Sequence, residues 1–543
     1  MERQSTRKIL RNIGVSFLIV IGILVIFTTF FLKNIVNNQL KKEIENTFGG
    51  FYTLNFEKSA TSLSFTGFNV QFEGVTFSSD TSNLGMLARY PALFFKSDKL
   101  RVLEINIFEV FWGPEINTGK VQIDKPELLF YVPESGMPPG TEESGSSESA
   151  IERINMKEIS LIEGKASFVF HRNQNDTLFA GSNLSLHIEN LGFNLLSEES
   201  VLNTATLDQM EFSLNQLRMS PEDSEYDYEI DSLSFNYKAE LLACYDLSMK
   251  PKANAIQMAR NTPFRRTVFD MEIDSLIYQS KDFKALKRGE SIKGQSLKLM
   301  GLRLHLDRNK SIALDESRYK KLFHESLLAL PFHVELDTIQ INNALIDYKI
   351  HQRRQEPTGN LILSGLNGII TPIDTRNRQE IKAKFTGRFM REASFAFNMN
   401  LPLKSPKKHS YNGNIGSMSF RGLNPLISNL TRVRMDAGTI QSIEFQGNAG
   451  ELLNEGSMKL IYSDLKLSVT DNSNNKKWLQ SGLGNLLVRN NSKADKAGNP
   501  VIIQYSYQRP HYKDHLDLYA GGLIDGFAQG VLPKVIYQMV MGN

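Results

Sequence analysis

From Phe51 onward, apolar and polar residues alternate in short runs punctuated by Gly, Asn, Asp and Ser. That is the pattern of strands with one apolar and one wet face. Ile381, Ala383, Phe385 and Phe389 alternate with Lys382, Lys384, Thr386 and Arg388. After a turn, Phe395, Phe397, Met399 and Leu401 alternate with Ala396, Asn398 and Asn400, and Ile443 and Phe445 continue the theme.

The alternation repeatedly changes parity. Met458, Leu460 and Tyr462 are followed, three residues on, by Leu465, Leu467 and Val469. The same step separates Phe65 from Phe68, Phe72 from Val75, Ile188 from Leu191 and Leu214 from Leu217. It recurs from Leu299 to Leu302 and from Ile341 to Ala344. A one-residue slip would throw every side chain to the other face. Two devices keep the face: a two-residue hairpin, or a β-bulge that adds one residue and increases the local bend. Sequence leaves both open, and either maintains one apolar face along the sheet.

These patterns predict a mainly β protein with few short helices. A long, curved antiparallel sheet of roughly 25 strands, spaced about 4.8 Å, would form an apolar groove on the order of 120 Å long. The rival arrangement is two or three β-sandwich domains. The strand-bearing text falls into an N-terminal β segment, 51–132, and a main groove region, 151–475. Between them, 133–150 (PESGMPPGTEESGSSESA) has no periodicity and reads as a linker. Residues 476–543 hold further strands and a glycine-rich amphipathic end. Helical pieces are expected at 33–47, 80–90, 313–329 and 478–488.

Ile13–Leu32 is an uncharged apolar run of 20 residues, which spans roughly 30 Å as a helix, the thickness of a bilayer core. Arg3, Arg7, Lys8 and Arg11 precede it and orient it with residues 1–12 in the cytoplasm. A cleaved signal peptide is the rival, but no small-x-small cleavage site follows. A single-pass anchor at 13–32 with a juxtamembrane helix over 33–50 is therefore expected. The rest of the chain then lies outside the cytoplasm.

Composition changes the picture little. Net charge is only +3 in 543 residues, so no nucleic-acid partner is expected. One cysteine, Cys244, rules out a disulfide framework and a multi-cysteine metal site. No catalytic motif is present, and neither a cofactor nor a metal is expected. His511 and His515 would share a face only on a helix, which Pro510 and the neighbouring tyrosines argue against. Gly482-Leu483-Gly484 is too short for a nucleotide loop. Gly522, Gly526 and Gly530 lie four apart, a stripe that permits close packing. It would serve either a contact with a membrane, a partner or the mouth of the trough, or a helix capping the sheet's last edge.

The runs IKAKFTGRF, FAFNMNLPL, GNIGSMSFRGLNPLI, MDAGTIQSIEFQGNAG and GSMKLIYSDLKLSV, followed by LGNLLVRN, resemble the C-terminal half of AsmA-like proteins. The anchor followed by LSFTGFNVQFEGVTFSS and LEINIFEVFWGPEINTGKVQIDKPELLFYV is similar to that family's opening pattern. The stretch 200–330 carries little of the likeness. The resemblance implies a Gram-negative inner-membrane protein whose periplasmic β-groove moves phospholipid, or another acyl lipid, towards the outer membrane. It brings no catalytic residue. The groove candidates are Phe385, Phe389, Phe395, Phe397, Met399, Leu401, Ile443, Phe445, Met458, Leu460, Tyr462, Leu465, Leu467 and Val469. An alternative is a scaffold for outer-membrane protein assembly, with a periplasmic or outer-membrane protein as partner.

Overall fold

The computed structural model describes residues 50–533 and Tyr537, apart from 65–66, 81–91, 107–114, 133–152, 171–176, 195–205, 222–223, 261–262, 284–290, 352–357, 405–407, 431–432 and 470–487. The expected anchor, 13–32, and juxtamembrane helix lie outside the described residues, as do 81–90 and most of 478–488. Among the described residues no helix is long and apolar enough to cross a membrane. They form 24 strands assigned to one sheet, with few short helices. The chain divides into two compact units, 1–245 and 246–543.

In the first unit β1 (Tyr52–Asn55) and β2 (Lys58–Ser64) both pair with β3 (Gly67–Ser79), which pairs with β4 (Ala92–Ile105). Next come β5 (Glu115–Asp124) and β6 (Glu127–Val132). Then follow β7 (Arg153–Phe170), β8 (Thr177–Asn194), β9 (Gln209–Met219) and β10 (Tyr226–Asn236). Register aligns Phe72, Leu100, Ile123, Leu161 and Leu186 across β3, β4, β5, β7 and β8. All five are at most 3% exposed and belong to one apolar cluster. Strand β11 (Leu241–Pro251) runs across the boundary between the units.

The expectation of a purely antiparallel sheet is corrected at two places. β5 and β6 are halves of one broken strand, antiparallel to β4 and parallel to β7. The break falls at Lys125 (φ 47°) and Pro126, where a proline without an N–H is tolerated. Parallel neighbours need a long return connection. The chain leaving Val132 must cover the whole of β7, roughly 56 Å at about 3.3 Å per residue, before Arg153. The 20 residues between them supply that reach. The segment 133–150 thus joins two neighbouring strands of the same unit, and the unit boundary falls instead after Tyr245.

The second unit opens with α1 (Ala255–Arg260) and β12 (Thr267–Ser280). It repeats the device: β13 (Ser291–Met300) and β14 (Arg303–Asn309) are antiparallel to β12 and parallel to β15 (His333–His351). The break is at Gly301 (φ 64°). The return connection, 310–332, holds the short helix α2 (Phe323–Leu328) in place of the longer helix expected over 313–329. Leu322 N donates to the Glu325 carboxylate at 2.9 Å to start it, and Pro331 restricts Leu330 beyond its end.

An antiparallel run follows through β16 (Gly359–Thr371), β18 (Glu380–Phe389), β19 (Ala393–Pro402), β20 (His409–Ile415), β22 (Val433–Ala449), β23 (Leu453–Val469) and β24 (Ile502–Gln508). The short pieces β17 (Ile373–Asp374) and β21 (Met418–Ser419) extend β15 and β22 pairing, and α3 (Asn424–Leu430) precedes β22. Helix α4 (His515–Val531) packs back on β23 and β24.

The parity steps resolve into one hairpin and six left-handed positions, three of them bulges. β2 and β3 form the hairpin, with Ser64 paired to Gly67. At the other steps the second gap residue has positive φ: Gly74, Asn190, Gln216, Gly301, Asn343 and Asp464, at 61°, 52°, 52°, 64°, 53° and 56°. Each is left-handed: the register shifts by one residue at Gln216, Asn343 and Asp464, as a bulge requires, whereas the pairing passes Gly74, Asn190 and Gly301 without a shift. Tyr462 and Leu465, on either side of one such residue, are 2% and 0% exposed.

Candidate functional site

In the second unit the register converts alternation into rows that cross the sheet. One row runs Leu276, Leu299 and Ile341 on β12, β13 and β15, and continues through Gly368, Phe385 and Phe397 on β16, β18 and β19. It ends with Gly413, Phe445, Met458 and Ile503 on β20, β22, β23 and β24. Beside it lie Leu297, Ile339, Ile370, Ala383 and Met399, then Tyr411, Gly447, Gly456 and Tyr505. Beyond the bulges, Phe269, Leu306, Tyr348 and Leu361 form another row. The opposite side of β18 is exposed, with Lys382, Lys384, Thr386 and Arg388.

Burial changes along these rows. From β12 to β19 most of the apolar residues are only half-buried, and Phe269 is 41% exposed. From β20 to β23 they are covered: Phe445 is 6% exposed, Met458 2% and Leu460 3%. The rings of Phe395 and Phe397 stack with centroids 6.4 Å apart and planes 6° from parallel.

Helix α4 is the cover. A β-carbon on Gly526 would stand 2.8 Å from Tyr505 Cδ1, and one on Gly530 would stand 2.9 Å from Leu460 Cδ2. On Gly522 it would meet Asn454 Nδ2 at 2.5 Å. Gly522, Gly526 and Gly530, candidates for a membrane or partner contact, are buried against the chain's own sheet. The helix lies on the face of β23 and β24. Beneath the helix, Asn454 is fully buried; it accepts from Tyr411 at 2.9 Å and donates to Leu518 O at 2.8 Å. The Tyr411 and Tyr505 hydroxyls lie 2.8 Å apart, and Tyr505 reaches Gln446 O at 3.1 Å. Burial, the larger cause, and this pairing push the Tyr505 phenol far above its usual range. Such a buried, partnered polar set fixes where the helix sits.

The groove candidates therefore separate into two sets. Phe385, Phe389, Phe395, Phe397 and Met399 are half-buried, and Phe389, Phe397 and Met399 pack at the margin of the covered core. Leu401, Ile443, Phe445, Met458, Leu460, Tyr462, Leu465 and Leu467 are buried core, between 0% and 8% exposed, so they do not line an open surface. Val469 pairs with Val433 at the end of β23. Tyr462 anchors the covered end by donating to Arg489 O at 2.9 Å, and its burial pushes its phenol up to about 12. Alternation marks an apolar face but not what covers it. Leu276, Leu299, Ile341 and Phe269 belong to the accessible floor and were not among the candidates, although Leu299 and Ile341 flank parity steps.

His511 and His515 do not both lie on the helix. His511 precedes α4 and its Nε2 lies 3.0 Å from Glu316 O, while His515 opens the helix. Among the described residues no group of three or more His, Cys, Asp or Glu side chains could hold a metal ion. Cys244 is a buried free thiol, raised by its burial. No protein-family model matches the chain, and no curated protein matches it.

Proposed function

We propose that the protein carries acyl lipid, most simply phospholipid, on the apolar floor of its second unit, without a covalent step. The observation that carries this reading is the half-buried floor of β12 to β19, a row of large apolar side chains bordered by a polar opposite face. In water such a surface is costly, and each methylene laid on it is worth roughly 0.8 kcal/mol. Six strands, β12, β13, β15, β16, β18 and β19, span on the order of 24 Å at about 4.8 Å spacing. That accommodates one acyl chain, which covers half of a bilayer core, about 15 Å.

The resemblance to AsmA-like proteins and the N-terminal apolar run support the remainder of the reading. The chain is a single-pass inner-membrane protein with its strands in the periplasm, and its curved sheet is a trough in which chains lie on the floor with head groups in water. It serves phospholipid movement towards the outer membrane.

Native mass spectrometry of the full-length protein tests this. Phospholipid bound to the wild type should fall at least fivefold in a double variant, Ile341→Ser with Phe397→Ser, at half-buried positions. Lipid-free wild type, or unchanged lipid in the folded variant, would overturn the reading. The scaffold alternative draws on the outer face of α4, where Leu516 and Ile524 are 62% and 59% exposed. Crosslinks concentrated there, with none to lipid along β12 to β19, would favour it.

A further inference from the structure

The apolar rows of β12 to β15 stop at a cluster of cations. Two residues beyond Leu306, on the same side of β14, stands Arg308, in register with Thr267 and Ile350. Two residues along a strand is a step of roughly 6.6 Å. Arg308 Nη1 donates to Tyr348 Oη at 3.2 Å, so the guanidinium touches the last aromatic rung of the floor. Its Nη2 is 2.9 Å from Asp514 Oδ2, and its Nε, buried, has no partner.

Two more cations close around it. Arg265, just before β12, donates Nε to Ile312 O at 2.7 Å and Nη2 to Lys310 O at 2.8 Å, and has no carboxylate partner among the described residues. Lys310 follows β14, held by its backbone N–H to His351 O at 2.7 Å; its ammonium feels Asp517 but forms no ion pair within 4.0 Å among the described residues. Burial and the neighbouring Arg265 and Arg308 hold its ammonium below the usual range. Lys320 and Lys513 stand nearby, 3.7 Å from Asp514 and 3.5 Å from Asp517. The carboxylates are thus already engaged by Arg308, Lys320 and Lys513, and Arg265 and Lys310 are left in excess.

We propose that Arg265, Arg308 and Lys310 bind the phosphate of an anionic amphiphile whose chain lies on the adjoining floor. Arg265 and Arg308 present planar donors to phosphate oxygens, Lys310 adds a point charge, and the Tyr348 hydroxyl marks where apolar floor gives way to head group. This rests on the lipid-carrying reading and specifies which end of the lipid goes where: the phosphate at the β14 end, the chain running towards β19.

Lysine footprinting of the full-length protein tests it. Acetylation of Lys310, read by mass spectrometry, is compared with dioleoylphosphatidylglycerol vesicles, with dioleoylglycerol at the same concentration, and with inorganic phosphate. Phosphatidylglycerol alone should slow modification at least fivefold. Arg265→Gln should lose that protection while native mass spectrometry still finds lipid bound. Equal protection by inorganic phosphate would make this a free-anion site and overturn the amphiphile. Equal protection by dioleoylglycerol would reduce it to apolar covering. Bound phosphatidylglycerol with Lys310 unprotected would overturn the phosphate site and leave the floor standing. No bound lipid at all would remove both. The three arms on wild-type protein decide the matter even where the variant does not fold.

Discussion

Gly368 lies directly opposite Phe385 across β16 and β18, and a β-carbon on the glycine would stand 2.6 Å from Cδ1 and Cε1 of the phenyl ring. The ring occupies the space the missing side chain leaves. Gly413 stands so beneath Phe445, Gly447 beneath Tyr411 and Gly456 beneath Tyr505, with closest approaches of 2.5, 2.6 and 2.3 Å. Gly368→Val should displace the Phe385 ring and destabilise the second unit by about 1–3 kcal/mol. Urea unfolding followed by tyrosine fluorescence reads the loss, and an unchanged midpoint would show that the ring has another place to go.

Asp464 holds its positive φ at a bulge where its N–H donates to Asn491 Oδ1 at 3.1 Å, and its side chain is exposed. The conformation, rather than the carboxylate, is what the position requires. Asp464→Gly should leave stability within about 0.5 kcal/mol or raise it, whereas Asp464→Val should cost about 1–2 kcal/mol. Equal stability of the two variants in urea would mean that the strand can lose its bulge.

His409 is 4% exposed, its Nε2 is 2.6 Å from Tyr519 Oη, and the His324 ring lies 5.3 Å away. Burial first, then His324 and His515, depress it to about 4. A histidine whose folded pKa lies below the unfolded value of about 6.5 stabilises fully above that pH and loses its contribution as pH falls towards 4. The loss is about 2–3 kcal/mol by pH 4.5. His324 and His515 shift in the same direction and add to the slope. Denaturant midpoints at pH 7 and 4.5 should converge in His409→Gln relative to wild type.

Arg509 is 1% exposed and joins three segments: Nη1 donates to Lys320 O and Lys513 O, and Nη2 donates to Glu451 O at 3.0 Å. Arg509→Met should cost about 3 kcal/mol or more, because buried carbonyls lose their donors. Arg509→Lys should recover little, since one ammonium cannot replace a planar fork. Chymotryptic cleavage within 310–322 should rise with each variant, and full resistance in Arg509→Lys would show that charge alone suffices.

The strands, their facing and the repeated parity steps were legible in the sequence because period two is local. So was the device at those steps in part: Gly, Asn or Asp in the second gap position accounts for Gly74, Asn190, Gly301, Asn343 and Asp464, while Gln216 gives no such signal. The spacing of Gly522, Gly526 and Gly530 indicated close packing but not its partner. Register was not legible, and the row from Leu276 to Ile503 exists only through it. Nor were the parallel returns, which depend on pairings across the 133–152 and 310–332 segments. Tyr519 and His409 meet across 110 positions, a contact no local pattern announces. The covered and open parts of the floor read identically as alternation, because cover is supplied by α4, far along the chain from β18 and β19.

The left-handed positions place the bend of the sheet in the backbone of single residues that stand exposed on the polar side, as at Asn343, Gly365 and Asp464. The floor residues opposite are thereby released from any part in shaping the strand. Under selection, leucine, isoleucine and phenylalanine can then exchange along the rows while the curvature is inherited separately. What is expected to persist through divergence is a line of left-handed positions, and what is expected to drift is the surface those positions hold.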